Sequence, residues 1–126
     1  MDYRILIVDD SPLLRATARR AALQAGASAA SIREAGNGKE ALEELRRSPA
    51  DIVLLDISMP VMDGYQFVEE KAKDASLADV KVALVTTEGN QKRLSRMADL
   101  GVEHYLRKPF EPEELRALVT ELFGEQ

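Results

Sequence analysis

The sequence predicts an α/β protein: a doubly wound sheet of five parallel strands with five helices on its two faces. Three observations predict it. Short apolar runs alternate with longer amphipathic stretches along the chain, the signature of repeated strand-helix units. The strongest runs lack the polar alternation of a half-exposed strand, as expected where both sheet faces are covered. Ser, Pro, Asn and Gly fall between the runs, where helices start and stop.

Arg4-Ile5-Leu6-Ile7-Val8 is the first strand. Ser11-Pro12 opens the first helix, with Ser11 as cap and Pro12 at the first helical position. Leu14, Ala18, Ala21, Ala22 and Ala25 recur at helical spacing, and Gly26 ends the segment. Ala30 to Glu34 reads as a weak second strand. Gly36-Asn37-Gly38 then turns the chain into a helix over Lys39 to Arg46. That turn lacks the spacing of a phosphate-binding loop and the Ser or Thr after Lys39. Asp51 to Leu55 is the third strand. A loop rich in Pro and Gly, Ser58 to Gly64, leads to a helix through Lys73. Asp63-Gly64 is read there as a turn without a chemical role. Val80 to Val85 is the fourth strand, with a helix around Gln91 to Leu100. Glu103 to Leu106 is the fifth, and Glu111-Pro112 caps a helix ending near Phe123.

The 126 residues suit one domain spanning 1–126, with no linker, repeat or low-complexity segment and nothing after Phe123 for an output domain. Without cysteine there is no disulfide or thiolate-metal framework, which suits a reducing compartment. The longest apolar runs fall far short of the ~18 residues needed to span a bilayer. The start of the chain has no leader-like series of charge, long apolar stretch and cleavage site. A cytoplasmic monomer is expected. Seventeen basic and 22 acidic residues give a net charge of −5, which argues against non-specific nucleic-acid binding.

In a doubly wound sheet, ligands sit at the carboxyl ends of the strands. Here the first strand ends in Asp9-Asp10, the third in Asp56 and the fourth in Thr86-Thr87, and Lys108-Pro109 follows the fifth. Three carboxylates, a hydroxyl and an ammonium should therefore meet in one crevice. Carboxylates so close repel one another and favour a hard divalent cation with oxygen ligands; Mg²⁺ suits a site shared with phosphate oxygens. Asp56, at the end of the most apolar strand, could attack phosphorus to give an acyl phosphate, with Mg²⁺, Lys108 and Thr86 stabilising the transferring oxygens.

Four segments make a resemblance plain: Ile7-Val8-Asp9-Asp10-Ser11, Leu55 through Gly64, Leu84-Val85-Thr86-Thr87-Glu88, and Tyr105-Leu106-Arg107-Lys108-Pro109-Phe110. In this order the chain resembles the response-regulator receiver family, and most its single-domain chemotaxis members. The resemblance implies a flavodoxin-like fold with strand order 2-1-3-4-5 and a place in a two-component phosphorelay. It implies that Asp56 accepts a phosphoryl group from a sensor histidine kinase. Asp9, Asp10, Asp56 and the backbone carbonyl of Ser58 would hold Mg²⁺, with Lys108 as the cation beside them. Thr86 would move to the phosphoryl group, Tyr105 would turn inward with it, and the bond before Pro109 would be cis. Ser58, Thr87 and Glu88 are the modulating positions. Ser58 replaces an amide that orients the hydrolytic water in many chemotaxis members, and Thr87 is bulkier than usual, so a longer-lived phosphorylated state is implied.

The output would be a repacked surface of the fourth helix, fifth strand and fifth helix, where Lys92, Arg93, Arg96 and Arg107 could dock an acidic target segment. The family switches itself rather than turning over a substrate. Two other readings stay open: an aspartyl-phosphate hydrolase, although Asp56-Ile57-Ser58 lacks the second acid, and a scaffold that binds partners without phosphate. His104, the only histidine, is read as structural.

Overall fold

The computed structural model describes residues 1–87 and 91–124. Five strands, β1 (Ile5–Val8), β2 (Ile32–Ala35), β3 (Ile52–Leu55), β4 (Lys81–Thr86) and β5 (His104–Arg107), alternate with five helices. The helices are α1 (Pro12–Gln24), α2 (Gly38–Arg47), α3 (Gly64–Ala72), α4 (Gln91–Asp99) and α5 (Pro112–Phe123). All pairings are parallel and the order is β2-β1-β3-β4-β5, the flavodoxin-like arrangement.

The strands are apolar on both sides because each side meets a layer of helices. Leu6, Val8, Val53, Leu55 and Leu84 face one core, completed by Leu42 and Leu45 of α2, Phe67 of α3 and Met97 of α4. Ile5, Ile7, Ile52, Leu54 and Val85, one residue out of phase, face the other, completed by Ala21 and Ala22 of α1 and Leu115 and Leu118 of α5. A one-residue slip of any central strand would exchange its two sets of side chains. Among the described residues no helix is long and apolar enough to cross a membrane.

Side-chain caps start three helices close to the carboxyl ends of their strands. Ser11 Oγ accepts from the Leu14 N–H at 3.2 Å, and Asn37 Oδ1 from the Glu40 N–H at 2.9 Å. At α3, Asp63 and Gln66 cap each other's backbone N–H groups at 2.9 and 3.0 Å. Asp63-Gly64, read as a turn, is thus a helix start.

The second strand differs from the expected 30–34. Ala29–Ser31 form a 3₁₀ turn, and pairing begins at Ile32, opposite Ile5. Ala30 and Ser31 offer the core little apolar surface, and the Ser31 and Ser28 hydroxyls are bonded to each other at 2.7 Å. Ile32, 5% exposed, is the first side chain here with something to bury.

Candidate functional site

The sheet ladder runs past the strand ends and fixes the polar residues there. The Asp9 N–H donates to the Ala35 carbonyl at 3.1 Å, that of Asp56 to the Val8 carbonyl at 2.9 Å, and that of Lys108 to the Thr86 carbonyl at 2.7 Å. Parallel pairing therefore brings side chains as much as 99 residues apart into one crevice. Asp9, Asp10 and Asp56 each place a carboxylate oxygen within 4.8 Å of the others. Lys108 Nζ lies between two of them, 2.6 Å from Asp9 Oδ2 and 3.4 Å from Asp56 Oδ1. Asp9 is buried and Asp10 exposed.

The electrostatics are unbalanced. At an effective dielectric near 20, two carboxylates ~5 Å apart repel by roughly 3 kcal/mol, and one ammonium cannot offset three such charges. The Asp56 carboxyl is pushed above its ordinary value of 3.8, chiefly by burial; Lys108 pulls it down and Asp9 pushes it up. A donor set made only of carboxylate oxygens suits a hard cation.

Several supports act through backbone groups and were not legible in the sequence. The Arg15 guanidinium of α1 donates to the Asp9 carbonyl at 2.6 Å and to Glu34 Oε1 at 3.0 Å, tying the Asp9 turn to β2. The Ser11 N–H donates to Asp9 Oδ1 at 2.9 Å. Gly64 packs directly on the loop after β3: a Cβ there would lie 2.6 Å from the Asp56 carbonyl oxygen and 2.9 Å from Ile57 Cα. Because both neighbours are backbone, only glycine fits without moving Asp56.

The same loop stores strain. Val61 has φ 69°, and the Met62 N–H closes a three-residue turn onto the Pro60 carbonyl at 2.7 Å. A β-branched residue there costs about 1–3 kcal/mol, and Val61, 76% exposed, recovers little by burial. Glycine would remove that cost while adding about 0.5–1 kcal/mol of unfolded-state entropy. Val61→Gly is expected to stabilise the protein by about 1 kcal/mol, read as a higher urea midpoint at unchanged slope.

Thr86 ends β4 and Tyr105 lies in β5. Leu84 pairs with Tyr105 and Thr86 with Arg107, so Thr86 and Tyr105 are diagonal neighbours on the face toward α4. Tyr105 is 55% exposed and flanks a groove of about 330 Å³ that Gln91, Ser95 and Ala98 of α4 also line. The Lys108-Pro109 bond is cis. Ser58 and Thr87 are exposed, and Glu88 lies outside the described residues.

The four basic residues expected on the output face, Lys92, Arg93, Arg96 and Arg107, are all exposed. The Arg96 guanidinium lies 3.8 Å over the Tyr65 ring of α3. The α4 side chains beside Tyr105 are neutral. His104 Nδ1 lies 3.3 Å from Glu121 Oε1 of α5, away from the acidic crevice.

Relatives and solved structures share this fold. The chain is 34% identical over 112 residues to the chemotaxis protein CheY of Thermotoga maritima, a match covering 89% of this chain and 90% of that protein. The structure of chemotaxis protein CheY4 of Vibrio cholerae superposes with a TM-score of 0.85 at 27% identity, over 98% of this chain and 100% of that one. The receiver domain of sensor histidine kinase PA1611 from Pseudomonas aeruginosa PAO1 shares the fold at a TM-score of 0.85 and 24% identity, over 99% of this chain and 100% of that one. That protein holds a magnesium ion in its active-site cleft. The chain also spans only about half the length of some curated relatives, which are transcriptional and response regulators. The family profile of the response regulator receiver domain matches residues 5–120, and the chain belongs to that family.

Proposed function

We propose that the protein is a phosphoacceptor switch: Asp56 takes a phosphoryl group from a histidine kinase, and the α4-β5-α5 surface changes to bind a target. The observation that carries this reading is Lys108 Nζ held between Asp9 and Asp56, with Asp10 completing a carboxylate cluster tighter than one ammonium can balance. Such a cavity suits a divalent cation and a phosphoryl group together.

Asp9, Asp10 and Asp56, with the Ser58 backbone carbonyl, would hold Mg²⁺. When bound, the ion supplies positive charge to the transferring oxygens. In the step itself, an Asp56 carboxylate oxygen forms a bond to phosphorus as the bond to the donor's leaving atom breaks, giving an acyl phosphate. Lys108 neutralises charge on the transferring group, and the Thr86 hydroxyl donates to it after transfer. Burial raises the Asp56 pKa and so opposes the nucleophilic ionised form; Lys108 acts in the other direction. Both phosphorylation and its reversal are then self-catalysed, in the cytoplasm.

The output follows from the shared sheet face. With Thr86 drawn toward the phosphoryl group, Tyr105 turns inward and the groove beside α4 is remodelled. Lys92, Arg93, Arg96 and Arg107 are exposed cations of this region and would meet an acidic target segment there, Arg96 from its position over the Tyr65 ring.

Incubation with Mg²⁺ and acetyl phosphate tests the reading. One acid-labile phosphoryl group accumulating per chain supports the switch; donor turnover with no phosphorylated chain accumulating points to a hydrolase, and no uptake to a scaffold. Ser58→Asn, restoring the amide missing beside the phosphoacceptor, is expected to speed dephosphorylation by about tenfold, less than the roughly 10²–10⁴ of full general acid–base catalysis because an amide only orients the water. An unchanged rate removes the explanation for a long-lived state.

A further inference from the structure

Beside the acidic crevice, on the α1 side of the sheet, lies a pocket of about 290 Å³. Ile7, Leu54 and Val85 form its floor, Leu14 and Ala18 of α1 one wall, and Phe110 part of the other. Its origin is in the sequence. Helix α1 packs on the sheet through alanines, and Ala21 and Ala22 are buried where the helix lies close. One turn earlier the inward position is again a small residue, Ala18, while Leu14 is 37% exposed. Among the described residues, no long side chain of α1 reaches down between the helix and the loop after β5.

The walls are almost entirely carbon. Lys108 also lines the pocket, but its ammonium is committed to Asp9 and Asp56, which leaves its aliphatic stem. The Thr17 hydroxyl at the rim donates to the Leu13 carbonyl at 3.0 Å. Water held there would find few partners, and apolar spaces of this kind accept apolar molecules instead. A dry cavity of roughly 150 Å³ takes one benzene. About twice that volume suits two fused rings. A charged ligand would be disfavoured, because neither Lys108 nor Asp9 has a free partner to offer it.

We propose that this pocket is a binding site for a small uncharged apolar molecule, about the size of a two-ring aromatic, adjoining the phosphoryl site at Asp9 and Lys108. The rival occupant is an apolar side chain of a docking protein, guided by Leu13 at the helix start, 75% exposed. A free small molecule separates the two.

The test is an amide NMR titration of the full chain with indole, in chelator and without phosphodonor, so that its outcome is independent of the phosphoacceptor reading. Saturable shifts confined to the first turns of α1, Ile7, Leu54, Val85 and Phe110 are expected, with a dissociation constant on the order of 0.1–1 mM. Ala18→Leu, which fills the cavity, should weaken binding at least tenfold. Thr17→Leu, at an exposed and tolerant position, should obstruct the entrance if the first variant folds poorly. No saturable shift, shifts centred elsewhere, or wild-type affinity in the folded variants would overturn the proposal and leave a partner's side chain as the occupant.

Discussion

Replacing Asp56 with Asn is expected to abolish phosphoryl uptake while making the metal-free domain more stable. The first effect follows from losing the carboxylate that attacks phosphorus. The second follows from the position of Asp56 among like charges and away from water. Burial is the largest influence on its carboxyl, and the net displacement is upward from 3.8 despite Lys108 at 3.4 Å. The folded state therefore holds this proton more tightly than the unfolded state does. The associated stability is complete below about pH 3.8 and declines as pH rises to the folded pKa. Above that it stays lost. The Asn variant has no such decline, so its advantage should widen through this window and level off at neutral pH. Urea unfolding in chelator across the window checks it. A variant less stable than the parent at pH 7 would mean that Lys108 outweighs burial and the neighbouring carboxylates together.

Lys108→Ala should move stability the other way. Its ammonium, with a side chain 12% exposed, is the counter-charge to Asp9, whose side chain is 7% exposed. Removing one partner of a buried pair typically costs roughly 3–5 kcal/mol, because the other charge is stranded. The low end applies here, since Asp10 reaches toward water and a carboxyl can protonate. Saturating Mg²⁺ should restore part of the loss by binding only the folded state. Phosphoryl uptake should nevertheless fall by roughly 100- to 1,000-fold, the usual effect of deleting one fixed electrostatic stabiliser. Stability and uptake that recovered together with Mg²⁺ would make Lys108 a structural cation only. The two variants thus carry opposite stability signs and the same functional sign, which general damage to the fold cannot reproduce.

Most of the architecture was readable because it rests on periodicity. Runs such as Ile52–Leu55 are buried on both sides and could hardly be anything but central strands. The second strand was misplaced by one to two residues because Ala30 and Ser31 carry no pattern; its start is fixed by the register of Ile32 against Ile5. At the site, the rule of strand ends placed Asp9, Asp10, Asp56 and Lys108 correctly in one crevice, since sheet order alone brings them together. Residues that work through backbone contacts were invisible. Arg15 holds the Asp9 carbonyl from a helix, and Gly64 makes room for the Asp56 carbonyl from the far end of a loop. Neither contact has a periodic signal. The stacking of Arg96 was invisible for a similar reason: its charge suggested a docking face, and nothing in the pattern pairs it with the Tyr65 ring of the neighbouring α3.

Fluorine NMR with beryllofluoride, which mimics an aspartyl phosphate, would interrogate the crevice most directly. A bound signal at one equivalent per chain is predicted only when Mg²⁺ is present, absent in chelator and absent from Asp56→Asn. A signal of equal strength without Mg²⁺, or one retained when Asp56 is replaced, would contradict a cavity in which carboxylates, cation and phosphoryl group stabilise one another.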